Sequence, residues 1–394
     1  MPGPGAYWIG QEEMDSVMQV MKSGYFFRYG NEEDPKFLHK VATLEQEFAR
    51  YCGARHALAT SSGTASLIVS ALALGLKPGD EIIVPAYTFV ASYTSMIFPG
   101  VVPVLAEIDD SLTIDPQDIE HRITPKTKAI MPVHMLGNPC KMDEIMNIAK
   151  KHNLSVLEDS CQAAGATYKG KKVGTIGHMG AFSLNLFKTI NTGDGGLVTT
   201  NDIHLYETAF GVHDQGHKPS RLGVEVGARS VLGLNFRINE ITAAVGIAQL
   251  QKLDKIISTL REKRDRFKDL IKDAEGFNFR TLNDPKGDCA TLCTVIFDTR
   301  EQASEVSKKL GSKTIDQSGW HVYFNMEHVM KHLESIGQPH GKGAYPRTDD
   351  ILSRAMNVSV GVVDGGLGAG WGININSTDN EIEAAAEEFM NACK

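Results

Sequence analysis

The chain has 394 residues, of which 42% are hydrophobic and 22% charged, and its formal net charge is −8. This length favours two domains, and the negative charge excludes the broad basic field that attracts nucleic acid. No apolar run is long enough to cross a bilayer, and the N-terminus lacks the basic and apolar parts of a secretory signal. The six cysteines are dispersed without a zinc-binding pattern, so we expect reduced thiols in a cytoplasmic protein.

The first half of the chain alternates helical and strand-like patterns, which predicts a mostly parallel sheet covered by helices. Apolar residues at helical spacing predict helices over residues 41–51, 64–76 and 142–152. Short apolar runs predict strands over residues 81–84, 101–108, 128–134, 154–157, 182–186 and 196–199.

The last third of the chain has a different pattern. A long helical pattern over 238–261 is followed by a charged helical stretch, a strand signal and a closing helix, over residues 262–273, 294–297 and 381–393. We therefore predict a large domain over residues 1–255 and a smaller C-terminal α+β domain over residues 256–394. The segments 221–234 and 337–347 lack periodicity and are predicted to be loops.

Lys188 carries the most chemical information. It follows an apolar, strand-like stretch and precedes the glycine-rich turn Gly193–Gly196. Such a setting desolvates an amine, which disfavours its charged form, lowers its pKa and makes it a better nucleophile. Upstream, Asp159 stands at the end of another predicted strand, and ligands of open α/β sheets lie beyond the carboxyl ends of the strands.

A lysine for a Schiff base and an aspartate for a pyridinium nitrogen are the protein half of pyridoxal 5′-phosphate (PLP) chemistry. Each residue also has a common alternative role, because most lysines are exposed and an aspartate after a strand often caps a helix. A third feature is Ser61–Ala65, which opens a predicted helix whose free N–H groups could bind phosphate, or which could be a simple N-cap. Ser183 could add a hydroxyl to the same phosphate.

Two more side chains could contact the same ring. Gln162 could donate a hydrogen bond to the phenolic oxygen of the ring, although a surface position is the ordinary alternative. Phe89 could stack on the ring face, a contact of about 0.5–1.5 kcal/mol beyond burial, and core packing is its ordinary alternative. Tyr87 is a second candidate for the stacking role.

Two polar segments lie farther along the chain. In Gly233–Glu240, Asn235 could reach a phosphate and Arg237 could grip an anionic substrate as a bidentate fork. Both could instead belong to a polar network at the start of the next helix. The segment His213–His217 holds two histidines without a third ligand nearby, so we interpret it as a polar active-site or surface loop rather than a metal site.

Together these motifs resemble the DegT/DnrJ/EryC1/StrS family of sugar aminotransferases, which have the type I, aspartate aminotransferase-like fold of PLP enzymes. The matching segments occur in the family's order and are Ser62–Ala65, Val84–Ala91, Leu157–Ala163, Phe182–Gly196 and Gly233–Arg237. The resemblance implies a homodimer with shared active sites.

The resemblance also implies a role for each matching residue. Lys188 corresponds to the Schiff-base lysine and Asp159 to the partner of the pyridinium nitrogen. The other implied cofactor contacts are Gln162 at the ring oxygen, Phe89 on the ring face, Gly63, Thr64 and Ser183 at the phosphate, and Asn235 from the neighbouring subunit at the same phosphate.

The substrate is less well defined by the sequence. One subgroup of the family replaces the lysine by histidine and catalyses dehydration, so Lys188 favours transamination. The chain departs from the family at Gly319–Phe324 and Ser359–Gly366, which weakens the case for the usual nucleotide-linked sugar. The segment Gly24–Tyr29, together with Gly233–Arg237, instead resembles the branch that aminates 8-oxo-3-deoxy-octulosonate (8-oxo-Kdo), a keto sugar with its own carboxylate. The candidate substrate contacts are Arg28, Tyr29, His213, His217, Arg229, Arg237 and His321.

We therefore predict an aminotransferase that uses PLP, and its pyridoxamine phosphate (PMP) form, to move an amino group from glutamate to a keto sugar. Glutamine is a second possible donor, and neither nucleic acid nor membrane is an expected partner. The alternatives are a dehydratase or lyase on the same fold, and a non-catalytic regulatory member of the family.

Overall fold

The computed structural model describes residues 3–219 and 231–394. The strands of these residues, in chain order, are β1 (His56–Thr60), β2 (Glu81–Pro85), β3 (Val102–Ala106), β4 (Thr127–Ile130), β5 (Ser155–Asp159), β6 (Thr167–Tyr168), β7 (Lys171–Lys172), β8 (Met179–Ser183), β9 (Gly196–Thr200), β10 (Phe277–Phe279), β11 (Leu292–Phe297) and β12 (Ala355–Ser359).

The helices of the described residues, in chain order, are α1 (Pro4–Tyr7), α2 (Gln11–Ser23), α3 (Lys40–Cys52), α4 (Gly63–Ala73), α5 (Ala91–Ile97), α6 (Pro116–Arg122), α7 (Met142–His152), α8 (Ile203–His213), α9 (Glu240–Ile271), α10 (Arg300–Lys309), α11 (Glu327–Ser335), α12 (Pro346–Arg354) and α13 (Asp379–Cys393). Among them, no helix combines the length and apolar composition that a membrane span requires.

A seven-stranded sheet, as far as the described residues show, forms the centre of the molecule in the order β1-β9-β8-β5-β4-β2-β3. Strands β8, β5, β4, β2 and β3 run parallel. Strand β9 pairs antiparallel with β8, and β1 pairs antiparallel with β9, so β1 runs in the same direction as β8. Neighbouring residues of a strand point to opposite faces, so Ile82 and Ile83 enter two different apolar clusters and are both fully buried. Burial on both faces is typical of a parallel sheet covered by helices.

The C-terminal part of the chain builds a second sheet in the order β10-β11-β12, which is antiparallel. Helix α9 passes through residue 255 without interruption, and its second half packs with this sheet through Ile256, Leu260 and Phe267. The division into domains at residue 255 stays a prediction.

Most predicted elements are confirmed with shifts of a few residues. The predicted strand over 182–186 is displaced, because β8 ends at Ser183 and the next residues already belong to the loop that carries Lys188. The predicted helices over 238–261 and 262–273 are one continuous helix, α9, since no glycine or proline separates them after Gly246. Helix α2 at the N-terminus has no counterpart in the sequence analysis. The six cysteines are free, as predicted.

Candidate active site

A cavity of about 460 Å³ lies at the carboxyl ends of the parallel strands. Its inner wall includes Asp159 and Ser183, the last residues of β5 and β8, and Phe89, which follows β2. Two C-terminal turns, which contain His321 and Asp364, complete the wall. The volume is in the range of cofactor and small-molecule sites.

Lys188 lines this cavity and is half-buried. Within the described part of the chain, its Nζ has no hydrogen-bond or ion-pair partner. Burial lowers its pKa, because the loss of hydration outweighs the opposing charges of Cys161, Asp159 and Asp364. Near pH 8 a larger fraction of Lys188 is therefore neutral amine than of an exposed lysine.

The N-terminal segment holds the loop around Lys188 in place through backbone hydrogen bonds. The N–H of Gly3 donates to the carbonyl of Leu186 at 2.9 Å, and the N–H of Gly5 donates to the carbonyl of Lys188 at 3.3 Å. A Cβ on Gly3 would lie 2.2 Å from the carbonyl carbon of Phe187, so only glycine permits this approach. The buried Gln249 of α9 also accepts a hydrogen bond from the backbone of Asn191 in the same loop.

Asp159 lines the same cavity and is 3% exposed. Its Oδ2 accepts a hydrogen bond from the Ser92 hydroxyl at 2.7 Å, and its Oδ1 accepts one from the Cys161 N–H at 3.1 Å. Ser92 is in turn 2.7 Å from the Thr88 hydroxyl, and both are buried. Hydrogen bonds of this kind favour the ionised carboxylate.

The start of α4 forms an anion-binding position. Ser62 caps the helix by accepting the Ala65 N–H at 3.0 Å, so the N-cap alternative is also correct. The N–H groups of Gly63 and Thr64 precede the first intrahelical bond and have no partner among the described residues. A Cβ on Gly63 would lie 2.7 Å from the Cβ of Ser183, so this hydroxyl is close to the helix start. The combination suits a phosphate.

Gln162 and Phe89 also line the cavity. The Oε1 of Gln162 accepts the N–H of Leu136 at 2.9 Å, which orients the amide and leaves its NH₂ group as the free donor. Phe89 is 40% exposed, and its ring centroid lies 5.3 Å from that of His321. Tyr87, the second stacking candidate, is fully buried and does not line the cavity.

Of the predicted substrate contacts, the structure places His321 in the cavity. Arg28 is buried elsewhere and forms a bidentate ion pair with Glu45 at 2.8 and 3.0 Å. Tyr29 and Arg237 both bond to the carboxylate of Asp214, away from the cavity. The guanidinium groups of Arg28 and Arg237 are thus already neutralised in this chain.

The other predicted contacts do not reach this cavity either. His213 is fully buried, its Nδ1 lies 2.7 Å from the carbonyl of Phe210, and burial lowers its pKa to about 3. His217 is half-buried, and its Nδ1 has no hydrogen-bond partner among the described residues. Asn235 is exposed, and its side chain accepts the N–H of Arg237 at 3.2 Å. Arg229 lies outside the described residues.

Sequence reasoning missed several cavity residues. Ser92 follows Phe89 by three residues, and nothing local distinguishes it from the other hydroxyl-bearing residues of α5. Cys161 lies between the two predicted residues Asp159 and Gln162. Trp320 and Asp364 lie in segments that depart from the family pattern, so no local motif marks them.

Comparison with known proteins agrees with this geometry. Residues 8–362 match the model of the DegT/DnrJ/EryC1/StrS aminotransferase family. A protein of Escherichia coli O157:H7 named GDP-perosamine synthase is 35% identical over 350 residues, which cover 88% of this chain and 90% of that protein. A protein of the same name from Caulobacter vibrioides is 43% identical over 244 residues, and this match spans 62% of each chain, less than two thirds of that relative's length.

Among solved structures, a GDP-4-keto-6-deoxymannose-3-dehydratase with a trapped PLP-glutamate geminal diamine has a TM-score of 0.79 at 26% identity. The match covers 97% of this chain and 98% of that one. The chain thus has the type I fold of PLP-dependent enzymes, and the comparisons support PLP as its cofactor. The neighbours include dehydratases as well as aminotransferases. The chain belongs to the DegT/DnrJ/EryC1/StrS aminotransferase family.

Proposed function

We propose that this protein is a PLP-dependent aminotransferase that moves an amino group from glutamate to a nucleotide-linked keto sugar. The observation that carries the proposal is the meeting of Lys188 and Asp159 in one cavity, together with the free N–H groups at the start of α4. These groups come from distant parts of the chain and match the amine, acid and phosphate requirements of one cofactor.

The residues present fit PLP. The N–H groups of Gly63 and Thr64 and the hydroxyl of Ser183 would hold its phosphate, and the absence of a side chain at Gly63 leaves the space beside Ser183 open. Phe89 would cover one face of the ring. When bound, PLP supplies an aldehyde that condenses with amines and a ring that withdraws electrons from the adjacent carbon.

The protein's own part in the chemistry is proton transfer and orientation. Burial lowers the pKa of Lys188, so a larger fraction of its Nζ is neutral than in an exposed lysine. Lys188 Nζ would take a proton from the α-carbon of the donor and deliver it to the carbon that carried the cofactor's aldehyde. Asp159, which accepts hydrogen bonds from the Ser92 hydroxyl and the Cys161 N–H, would retain a proton on the ring nitrogen. The free NH₂ group of Gln162 would fix the ring oxygen.

The relatives favour a nucleotide-linked acceptor over 8-oxo-Kdo. Both relatives described above are named GDP-perosamine synthase, and perosamine is an amino sugar. In this chain two of the three arginines proposed as substrate contacts, Arg28 and Arg237, are paired with Glu45 and Asp214, while the third, Arg229, lies outside the described residues. We therefore infer an acceptor such as GDP-4-keto-6-deoxymannose, with the PMP form delivering the amino group.

A homodimer with shared active sites is part of the proposal. The segment that carries Asn235 exposes Leu232 and Leu234, which are 98% and 61% exposed. Exposed apolar side chains of this size, next to an amide whose NH₂ group has no partner among the described residues, suit contact with a second subunit. Asn235 would then reach the phosphate in the partner's cavity rather than its own.

A dehydratase is the second candidate, because a dehydratase is among the structural neighbours. Lys188 argues against it, since dehydration in this family accompanies replacement of that lysine by histidine. The two reactions differ in what happens to the donor: transfer yields one 2-oxoglutarate for each amino sugar formed.

The test is Lys188→Ala, with Lys126→Ala as the matched control, because Lys126 is exposed and outside the cavity. Removal of a general base is expected to reduce formation of 2-oxoglutarate from glutamate by about 10²–10⁴-fold, while Lys126→Ala keeps the wild-type rate. Retention of activity in Lys188→Ala would contradict the proposal. Failure of the wild-type protein, supplied with PLP, to form any 2-oxoglutarate would contradict it as well.

A further inference from the structure

The loop that carries Lys188 connects β8 to β9 and is anchored by a buried amide of α9. The side chain of Gln249 is fully buried, and its Oε1 accepts the N–H of Asn191 at 3.2 Å. Asn191 is itself 3% exposed, and its Oδ1 accepts the N–H of Gly193 at 2.7 Å. The backbone three residues after Lys188 is therefore bound to Gln249 and also supports the glycine-rich turn.

Glu13 of α2 determines which way this amide faces. The Nε2 group of Gln249 donates to Oε1 of Glu13 at 2.7 Å, and Glu13 is 3% exposed. An ionised carboxylate only accepts hydrogen bonds, so the NH₂ group of Gln249 has to face Glu13. The carbonyl oxygen of Gln249 then faces the N–H of Asn191. The reverse orientation of the amide would place two acceptors together at Glu13 and two donors together at Asn191.

The charge of Glu13 is balanced inside the same cluster. Lys252 Nζ donates to the two oxygens of Glu13 at 2.9 and 2.8 Å, and the N–H of Gly10 donates to Oε2 at 2.8 Å. Burial by itself raises the pKa of Glu13, but the hydrogen bonds from Lys252, Gly10 and Gln249 outweigh it and lower the pKa overall. Glu13 is therefore an ionised acceptor at neutral pH, and donors and acceptors alternate from Lys252 to Asn191.

The N-terminal segment packs against the same amide. A Cβ on Gly5 would lie 2.7 Å from Oε1 of Gln249 and 2.9 Å from the carbonyl oxygen of Thr189. The N–H of Gly5 donates to the carbonyl of Lys188 at 3.3 Å. Because close-packed interiors transmit small displacements, a shift of the Gln249 amide would move the backbone that carries Lys188.

We propose that Gln249, oriented by Glu13, is a positioning residue for Lys188: it holds the loop backbone so that the amine reaches the reacting carbon of the substrate. The inference rests on the proposed function, because the position of the amine affects the rate only if that amine transfers the proton. A misplacement of about 1 Å far from the chemistry can cost 10²-fold in rate. Helix α2, which the sequence analysis did not predict, thereby acts on the site through the loop.

An exchange of the two side chains tests this order of hydrogen bonds. Gln249→Glu keeps an acceptor for Asn191 but places a second carboxylate against Glu13. The double variant Glu13→Gln/Gln249→Glu restores one amide facing one carboxylate, with the positions reversed and the net charge unchanged. Gln249→Met is an uncharged variant that deletes both hydrogen bonds at similar volume. Gln251→Glu is the matched control, because Gln251 is exposed on the same helix.

The first measurement is the donor half-reaction of the holoenzyme, in which glutamate yields 2-oxoglutarate. Gln249→Glu and Gln249→Met should lower its kcat by about 10–100-fold, because a displaced amine transfers the proton poorly. The KM for glutamate should stay within about 2-fold of wild type, because Gln249 does not line the cavity. The double variant should recover to within about 3-fold of the wild-type kcat, and Gln251→Glu should match wild type.

Hydrogen exchange measured by mass spectrometry gives a readout without turnover. The backbone amides of residues 186–193 should exchange about 10-fold faster in Gln249→Glu and Gln249→Met than in wild type, because the loop has lost its anchor. The double variant and Gln251→Glu should exchange at nearly the wild-type rate. Urea unfolding of each variant separates a local loosening of the loop from a global loss of stability.

Wild-type kcat and wild-type exchange in Gln249→Met would overturn the inference, and this variant decides the matter if Gln249→Glu does not fold. A double variant that unfolds at the urea concentration of wild type, yet is no more active than Gln249→Glu, would overturn it as well. The proposed function fails separately, if wild-type protein forms no 2-oxoglutarate from glutamate. In that case the exchange rates of residues 186–193 still show whether Gln249 anchors the loop.

Discussion

Replacement of Ser92 by alanine tests whether a buried hydroxyl positions the carboxylate of Asp159 for the reaction. Ser92 is 1% exposed, and its hydroxyl is the donor to Asp159 Oδ2 at 2.7 Å. Without it, that oxygen keeps no protein donor among the described residues, while Oδ1 keeps the Cys161 N–H. Thr88, which lies 2.7 Å from the same hydroxyl, loses its partner too.

The size of the effect follows from this burial. Removing one partner from a buried polar group costs about 1–3 kcal/mol, and bonds to charged groups are worth about 1.5–3 kcal/mol. In Ser92→Ala the carboxylate of Asp159 loses one of the two protein hydrogen bonds that position it. The rate of the donor half-reaction should fall about 10-fold or more, since 1.4 kcal/mol corresponds to one power of ten in rate.

Ser95→Ala is the matched control for this prediction. Ser95 lies one helical turn farther along α5, is also fully buried, and its hydroxyl has no hydrogen-bond partner. Ser95→Ala removes a buried hydroxyl that makes no hydrogen bond among the described residues, so the free energy of unfolding should stay equal or rise. The assays are urea unfolding of both variants and the rate of 2-oxoglutarate formation. The reasoning is refuted if Ser92→Ala behaves like Ser95→Ala in both assays.

Three further predictions follow from the loop and the buried histidine. Because burial lowers its pKa, Lys188 of the cofactor-free protein should react with an amine-acylating reagent at pH 8 ahead of exposed lysines, as measured by peptide mass mapping; a rate equal to theirs would contradict the lowered pKa. Gly5→Ala places a Cβ 2.9 Å from the Cα of Ile190 and should cost about 1–3 kcal/mol in urea unfolding. Gly10→Ala, which meets only the flexible end of a glutamate at 3.0 Å, should cost far less. Burial lowers the pKa of His213 to about 3, so its unfolded form binds a proton below about pH 6.5 that its folded form does not bind until about pH 3. The free energy of unfolding that neutral His213 contributes above pH 6.5 is therefore lost as the pH falls. Between pH 7 and 5 the free energy of unfolding of the wild type should decrease by about 2 kcal/mol more than that of His213→Phe. Parallel plots of unfolding free energy against pH for the two proteins would rule this out.

The cofactor part of the candidate site could be predicted because its signals are local. A small-residue helix start, an acid at a strand end and a lysine before a glycine turn each follow from short stretches of sequence. In the structure Gly63, Asp159 and Lys188 line one cavity. The type I fold was also predictable, since the alternation of helices and strands and the order of the motifs are properties of the chain itself.

The substrate side could not be predicted in the same way. Arg28 and Arg237 were candidates because their residue type suits anions, but their availability depends on whether another part of the fold supplies a carboxylate. Glu45 and Asp214 do so here. The pairing of Arg28 with Glu45 and of Arg237 with Asp214 is a consequence of tertiary packing, which the residue type alone does not determine.

Sequence by itself determined the fold class and the lysine, aspartate and helix start that suit a phosphate-bearing ring. Tertiary structure alone decided that Ser92 bonds to Asp159 across 67 residues of sequence, and that the turn with Asp364 lines the same cavity as Lys188. The physical reason is that hydrophobic periodicity and turn residues act over a few neighbours. Contacts between distant segments, by contrast, are fixed only when the sheet and its covering helices pack.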